Sequence, residues 1–66
     1  MNWDQVAGNW KQISGEIRAR WGKLTDSDVE IIRGNREKLE GVLQERYGTG
    51  REKVKSDVDE WVKTLK

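Results

Sequence analysis

The 66-residue chain contains no cysteine, no histidine and no proline. Without cysteine there is no disulfide, no thiolate metal site and no thiol nucleophile. Without histidine the usual general base and the commonest metal ligand are missing. Without proline the chain is punctuated by its seven glycines alone. No apolar run approaches the roughly 20 residues of a membrane span, and the N-terminus lacks the charged-then-apolar order of a signal peptide. Charge of one sign is lacking too. Thirteen basic and twelve acidic side chains leave a net +1, so no global field draws the chain to nucleic acid or to an anionic membrane. The plain expectation from these absences is a soluble, intracellular protein without cofactor or metal, and not an enzyme.

Hydrophobic residues are scarce at 33%, and the mean hydropathy is −0.99, near the disordered regime. Four tryptophans pull the other way, since each buries ~150–250 Å² when packed. One small domain over 1–66 is the expected organisation.

What is present is a pattern written twice. Gly8 to Gly22 reads GNWKQISGEIRARWG, and Gly34 to Gly48 reads GNREKLEGVLQERYG. Each has glycine at its first, eighth and fifteenth places. The 26-residue offset pairs Trp3 with Val29, Val6 with Ile32, Ile13 with Leu39, Ile17 with Leu43, Arg20 with Arg46 and Trp21 with Tyr47. The expected fold is all-α: a small array of four helices, as two packed helical hairpins related by an internal repeat. The repeat units run from about 3–25 and 29–51.

Helical spacing supplies the elements. Trp3, Val6, Trp10, Ile13, Ile17 and Trp21 share a face, predicting a helix at 9–21 capped by Asn9, with 3–7 as a helical turn or an extension of it. Gly22 suits a left-handed C-terminal cap, and Glu16 with Arg20 forms a favourable i,i+4 pair. Thr25 or Asp26 opens a short helix at 26–33, with Val29 and Ile32 inward and Ile31 at an edge. Asn35 caps a third helix at 35–47 with Leu39, Val42, Leu43 and Tyr47 as its stripe. Thr49 or Gly50 opens the last, 50–65, whose Val54, Val58, Trp61, Val62 and Leu65 form the cleanest amphipathic pattern.

Gly8, Trp10, Gly15, the run Trp21-Gly22-Lys23-Leu24-Thr25-Asp26, then Gly34, Gly41, the run Gln44-Glu45-Arg46-Tyr47-Gly48 and the late Trp61 resemble the CsbD-like family over nearly the whole chain. The resemblance implies a small bacterial cytoplasmic protein of the general stress response with two packed helical hairpins. It implies no catalytic residues.

Gly15 and Gly41 form the first candidate site. On a helical wheel Gly15 falls roughly 155° from the centre of its apolar stripe, and Gly41 stands similarly opposite Leu39, Leu43 and Tyr47. Each costs about 1 kcal/mol relative to alanine, which points to a close-approach face for another helix, a second protomer or a partner. The bland alternatives are a hairpin already packed there, or ancestry alone. The second candidate is Tyr47-Gly48-Thr49-Gly50-Arg51, which has the apolar-Gly-x-Gly shape of helix–hairpin–helix DNA-binding modules. There Gly48 and Gly50, with Arg46, Arg51, Lys53 and Lys55, could hold a phosphate. A C-terminal cap followed by an N-terminal cap explains those two glycines equally well, and the first copy lacks the second one. Asp26, Asp28 and Glu30 lack the spacing of a calcium loop and read as helix-start acids. A membrane-surface role for 50–65 is opposed by Asp57, Asp59 and Glu60. The leading expectation is a monomeric, non-enzymatic stress-response protein acting through protein interaction or general protection. Weak nucleic-acid binding is the alternative.

Overall fold

The computed structural model describes residues 2–65. Among them are five helices and no strand: α1 (Trp3–Gly8), α2 (Trp10–Arg20), α3 (Asp26–Ile32), α4 (Arg36–Tyr47) and α5 (Arg51–Thr64). The expected all-α class is present, but the four-helix layout is not.

The extra element comes from the N-terminal turn. Asn2 and Gln5 form a reciprocal capping box, each side chain bonded to the other's backbone N–H at 2.9 and 3.0 Å, so 3–8 starts as a helix in its own right. Asn9 then breaks the path with φ −113° and ψ 29°. Its side chain makes no cap bond to α2. It instead donates to the Gln5 carbonyl at 2.9 Å and closes α1. Asn9 does stand at the expected N-cap position of α2, its carbonyl accepting the Gln12 and Ile13 N–H groups at 3.0 Å, but its side chain serves the end of α1.

The other joints differ from one another. α2 ends at Trp21 (φ −120°, ψ 84°), and Gly22 is not among the residues of positive φ. The chain leaves that helix by a turn in which the Leu24 N–H donates to the Trp21 carbonyl at 3.1 Å, without the left-handed glycine expected there. Thr25 opens α3 through a capping box with Asp28, and Asn35 opens α4 by accepting from the Lys38 N–H at 3.1 Å. Gly48 ends α4 in the left-handed conformation, and Gly50 precedes α5. One residue links α1 to α2, whereas Arg33–Asn35 link α3 to α4 with two left-handed φ values. The two stretches that the 26-residue offset pairs thus run through unlike connections.

The core gathers one stripe from each helix: Val6, Ile13 and Ile17, Ile32, Leu39 and Leu43, then Val54, Val58, Trp61 and Val62, with Trp21 and Leu24 from the turn. α4 is central, packing on α3 and on α5. Trp21 meets Trp61 edge-to-face, centroids 5.5 Å apart at 64°. Trp3 and Trp10 are only half-buried, tilted against each other at 6.5 Å.

Gly34 does more than stop a helix. Its φ is +79°, a side chain's first carbon would lie 3.3 Å from both Cα and Cβ of Ala7, and its carbonyl accepts the Trp3 indole N–H at 2.8 Å. The residue is where α1 docks onto the α3–α4 turn. Gly34→Ala combines a left-handed penalty with a tight contact, so we expect a loss of about 1–2 kcal/mol, read as a lower urea midpoint. An unchanged midpoint would mean that α1 does not dock there.

Candidate functional site

The outer faces of α2 and α4 carry the first candidate residues. Gly15 and Gly41 are exposed, and a carbon added at either meets nothing within 4 Å. No hairpin packs on them in the isolated chain. Neither glycine has a positive φ, so backbone conformation does not require them. Alanine at each should raise stability by up to about 1 kcal/mol, and thermal melts of Gly15→Ala and Gly41→Ala measure this directly. A drop in melting temperature would show that something packs there in solution.

The second candidate cluster is partly tied down. Arg46, at the last turn of α4, donates from Nη2 and Nε to both Asp28 oxygens, at 2.8 and 3.1 Å. Asp28 is buried, only 4% exposed, and also accepts the Thr25 N–H at 3.0 Å. Hydrogen bonding from Arg46, then from the Thr25 backbone, draws its carboxyl down from 3.8 to about 2. The same bond raises the Arg46 pKa. Lys53 pairs with Asp57 at 2.8 Å, and Arg51 stands 3.9 Å from Glu37. Lys55 is exposed on the same helix, and its carbonyl accepts from Arg36 at 3.4 Å. Gly48 and Gly50 frame the turn, with no side chain capping the start of α5. Of the residues expected to hold a phosphate, Arg46 thus serves to bind the end of α4 to the start of α3.

Other charged groups that sequence spacing did not single out are structural clips. Arg36 donates to buried Glu40 at 2.9 Å and also pairs with Asp59, joining α4 to α5. Its hydrogen bond holds the Asp59 carboxyl below the usual carboxylate range. Arg18 pairs with Asp26 across the α2–α3 turn. The acids Asp26 and Asp28 are thereby engaged by arginines, and no group of three or more potential metal ligands occurs among the described residues. No ion pair joins Glu16 to Arg20. The Arg20 guanidinium lies instead 5.9 Å from the Trp21 ring centre. Arg36–Glu40 was open to discovery as an i,i+4 pair, and Thr25-x-x-Asp28 as a capping box. The Asp28–Arg46 bond, 18 residues apart in sequence, carries no local signal.

Arg33 is a second residue without a sequence signature. It ends α3 with φ 45° and ψ 42°, a left-handed conformation that costs a residue bearing a side chain roughly 1–2 kcal/mol. Its Nε donates to the Glu30 carbonyl at 3.1 Å, which fixes the guanidinium along α3. Ile31, beside it, is 58% exposed, the one large hydrophobic residue so placed among those described. Among the described residues no helix is long and apolar enough to cross a membrane.

Residues 4–56 match the family model described as CsbD-like. The match stops short of Trp61. A UPF0337 protein of Rhodopseudomonas palustris is 54% identical over 66 residues, the whole of both chains. The UPF0337 protein YjbJ of Escherichia coli K12 is 48% identical over 61 residues, covering 92% of this chain and 88% of that one. A UPF0337 protein of Pectobacterium atrosepticum is 49% identical over the same shares. No solved structure gives a significant match.

Proposed function

The chain belongs to the CsbD-like family, and we propose that it is a non-enzymatic stress-response protein that acts by touching other proteins. The observation that carries this reading is the bare state of Gly15 and Gly41. Folding gains nothing from either glycine, and each weakens its helix. A partner that approaches the backbone closely would supply the missing reason, since only glycine lets another chain come so near. In this reading the protein is a cytoplasmic monomer without cofactor. General protection is the unspecific form of the same activity, in keeping with a mean hydropathy of −0.99.

A photo-crosslinking side chain placed at Ala19 or Glu45, each exposed and one turn from Gly15 or Gly41 on the same face, tests the reading in stressed cells and leaves both glycines intact. Discrete protein adducts are expected at both positions and not at Lys63, an exposed site on α5. Adducts no stronger than those at Lys63 would remove it. The nucleic-acid alternative rests on the Gly48–Gly50 turn with Arg51 and Lys55, and it asks Arg46 to exchange Asp28 for a phosphate. Duplex titration at low and moderate salt discriminates, because phosphate contacts give a steep salt dependence.

A further inference from the structure

Two shallow depressions lie side by side where α3 borders α2 and α4, and both are lined by Glu30 and Arg33. The first, about 280 Å³, has half-buried Trp10 and Lys11 of α2 in its wall. The second has Ile31 and Lys38. The surface therefore offers an indole and an exposed isoleucine, ringed by three cations with a single carboxylate between them.

None of those cations is spent on an ion pair. Lys11, Arg33 and Lys38 enter none of the ion pairs among the described residues, while Arg18, Arg36, Arg46, Arg51 and Lys53 all do. Arg33 is moreover held in place by a left-handed backbone and by its bond to the Glu30 carbonyl. A guanidinium so fixed has less freedom to lose when it meets a carboxylate.

Resting on the reading of a protein-contacting role, we infer that this surface receives a short acidic amphipathic segment of a partner protein. Apolar side chains of that segment fill the depressions beside Trp10 and Ile31, and its carboxylates meet Lys11, Arg33 and Lys38. Charge complementarity sets the class of partner. Glu30, at the junction of the two depressions, disfavours nucleic acid, whose regularly spaced phosphates cannot avoid it. A peptide can place a hydroxyl or a backbone N–H opposite. A bilayer is disfavoured by shape, since a fluid surface offers no fixed side chain to seat in a depression. The Lys11 stripe of α2 continues one turn on to Gly15, as i,i+4 neighbours do, so the bare glycine adjoins this surface.

The test titrates the full, isotope-labelled chain with an amphipathic glutamate–leucine peptide of about 14 residues, roughly four helical turns. Amide shifts are expected at Trp10, Ile31, Arg33 and Lys38. The double variant Lys11→Glu/Lys38→Glu should weaken binding about tenfold, and Ile31→Ser should weaken it too, all three positions being exposed and melting unchanged. The inference is overturned by shifts confined to other helices, or by equal binding of the glutamine analogue of the peptide. It is equally overturned if phosphatidylglycerol vesicles or oligothymidylate bind this surface in preference. Protein adducts at Ala19 and Glu45, beside the two glycines, without peptide binding here would leave the protein-contact reading in place and remove only the acidic segment.

Discussion

Trp61→Ala is expected to abolish cooperative folding or to lower the melting temperature by tens of degrees. Trp61 is 5% exposed and packs edge-to-face on Trp21, so its indole is the main tie between α5 and the end of α2. Truncating a buried tryptophan costs about 3–5 kcal/mol, from lost transfer energy and the cavity left behind. A small domain holds only ~5–15 kcal/mol in total, and at 66 residues this one belongs at the low end. The other buried apolar side chains of α5, Val54, Val58 and Val62, are smaller, and its tie to Arg36 through Asp59 is partly exposed. Trp61→Phe keeps an aromatic partner for Trp21 and should retain most of the stability. Circular dichroism melts of both variants suffice. If the alanine variant melts within a few degrees of the parent, α5 is not part of the cooperative unit. That outcome would fit a domain ending near residue 56, where the family match ends.

Asp28→Ala should be the most damaging single substitution of a carboxylate, with a larger fall in melting temperature than Gly34→Ala. It removes two bonds to Arg46 and one to the Thr25 N–H, so the α3 capping box loses one of its two bonds and α4 its tie to α3 in one step, while the Thr25 hydroxyl still caps the residue-28 N–H. Asp28→Asn keeps an acceptor for Thr25 while losing the charge, and should fall between the two. The same site sets an acid limit. Its carboxyl has a lower pKa in the folded chain, about 2 against an ordinary 3.8, so the folded state holds the proton less readily than the unfolded one. The stabilisation is therefore complete above 3.8 and is lost as pH falls toward about 2. Urea midpoints measured across that window should drop for the parent and stay much flatter for Asp28→Asn. Parallel curves would place the acid sensitivity elsewhere.

Helix existence was legible where the signal is local. The stripe Val54, Val58, Trp61 and Val62, the cap at Asn35 and the C-terminal cap at Gly48 all stand as spacing and side-chain chemistry predict, and of Thr25 and Asp26 it is Thr25 that caps α3. Gly22 misled outright, and Asn9, which does precede α2 as its N-cap residue, misled only in the use of its side chain. Each residue type suits more than one terminal geometry, and the approach of α1 and of the Trp21 turn to the core selects among them. Of the two candidate sites, the glycine positions could be read from a helical wheel. The engagement of Arg46 could not, because nothing in a separation of 18 residues says which of several acids it will meet.

The sequence by itself determined the helical class, the residues that face inward and the places where glycines have no local excuse, since these follow from a 3.6-residue period and from backbone chemistry. Only the tertiary structure decided the rest. It separated α1 from α2, seated Gly34 against Ala7, committed Asp28 to Arg46, and left Gly15 and Gly41 facing open space. Those outcomes depend on how helices cross and how closely they approach. That geometry is set by the summed shapes of side chains distant in sequence, and no short window of residues contains it.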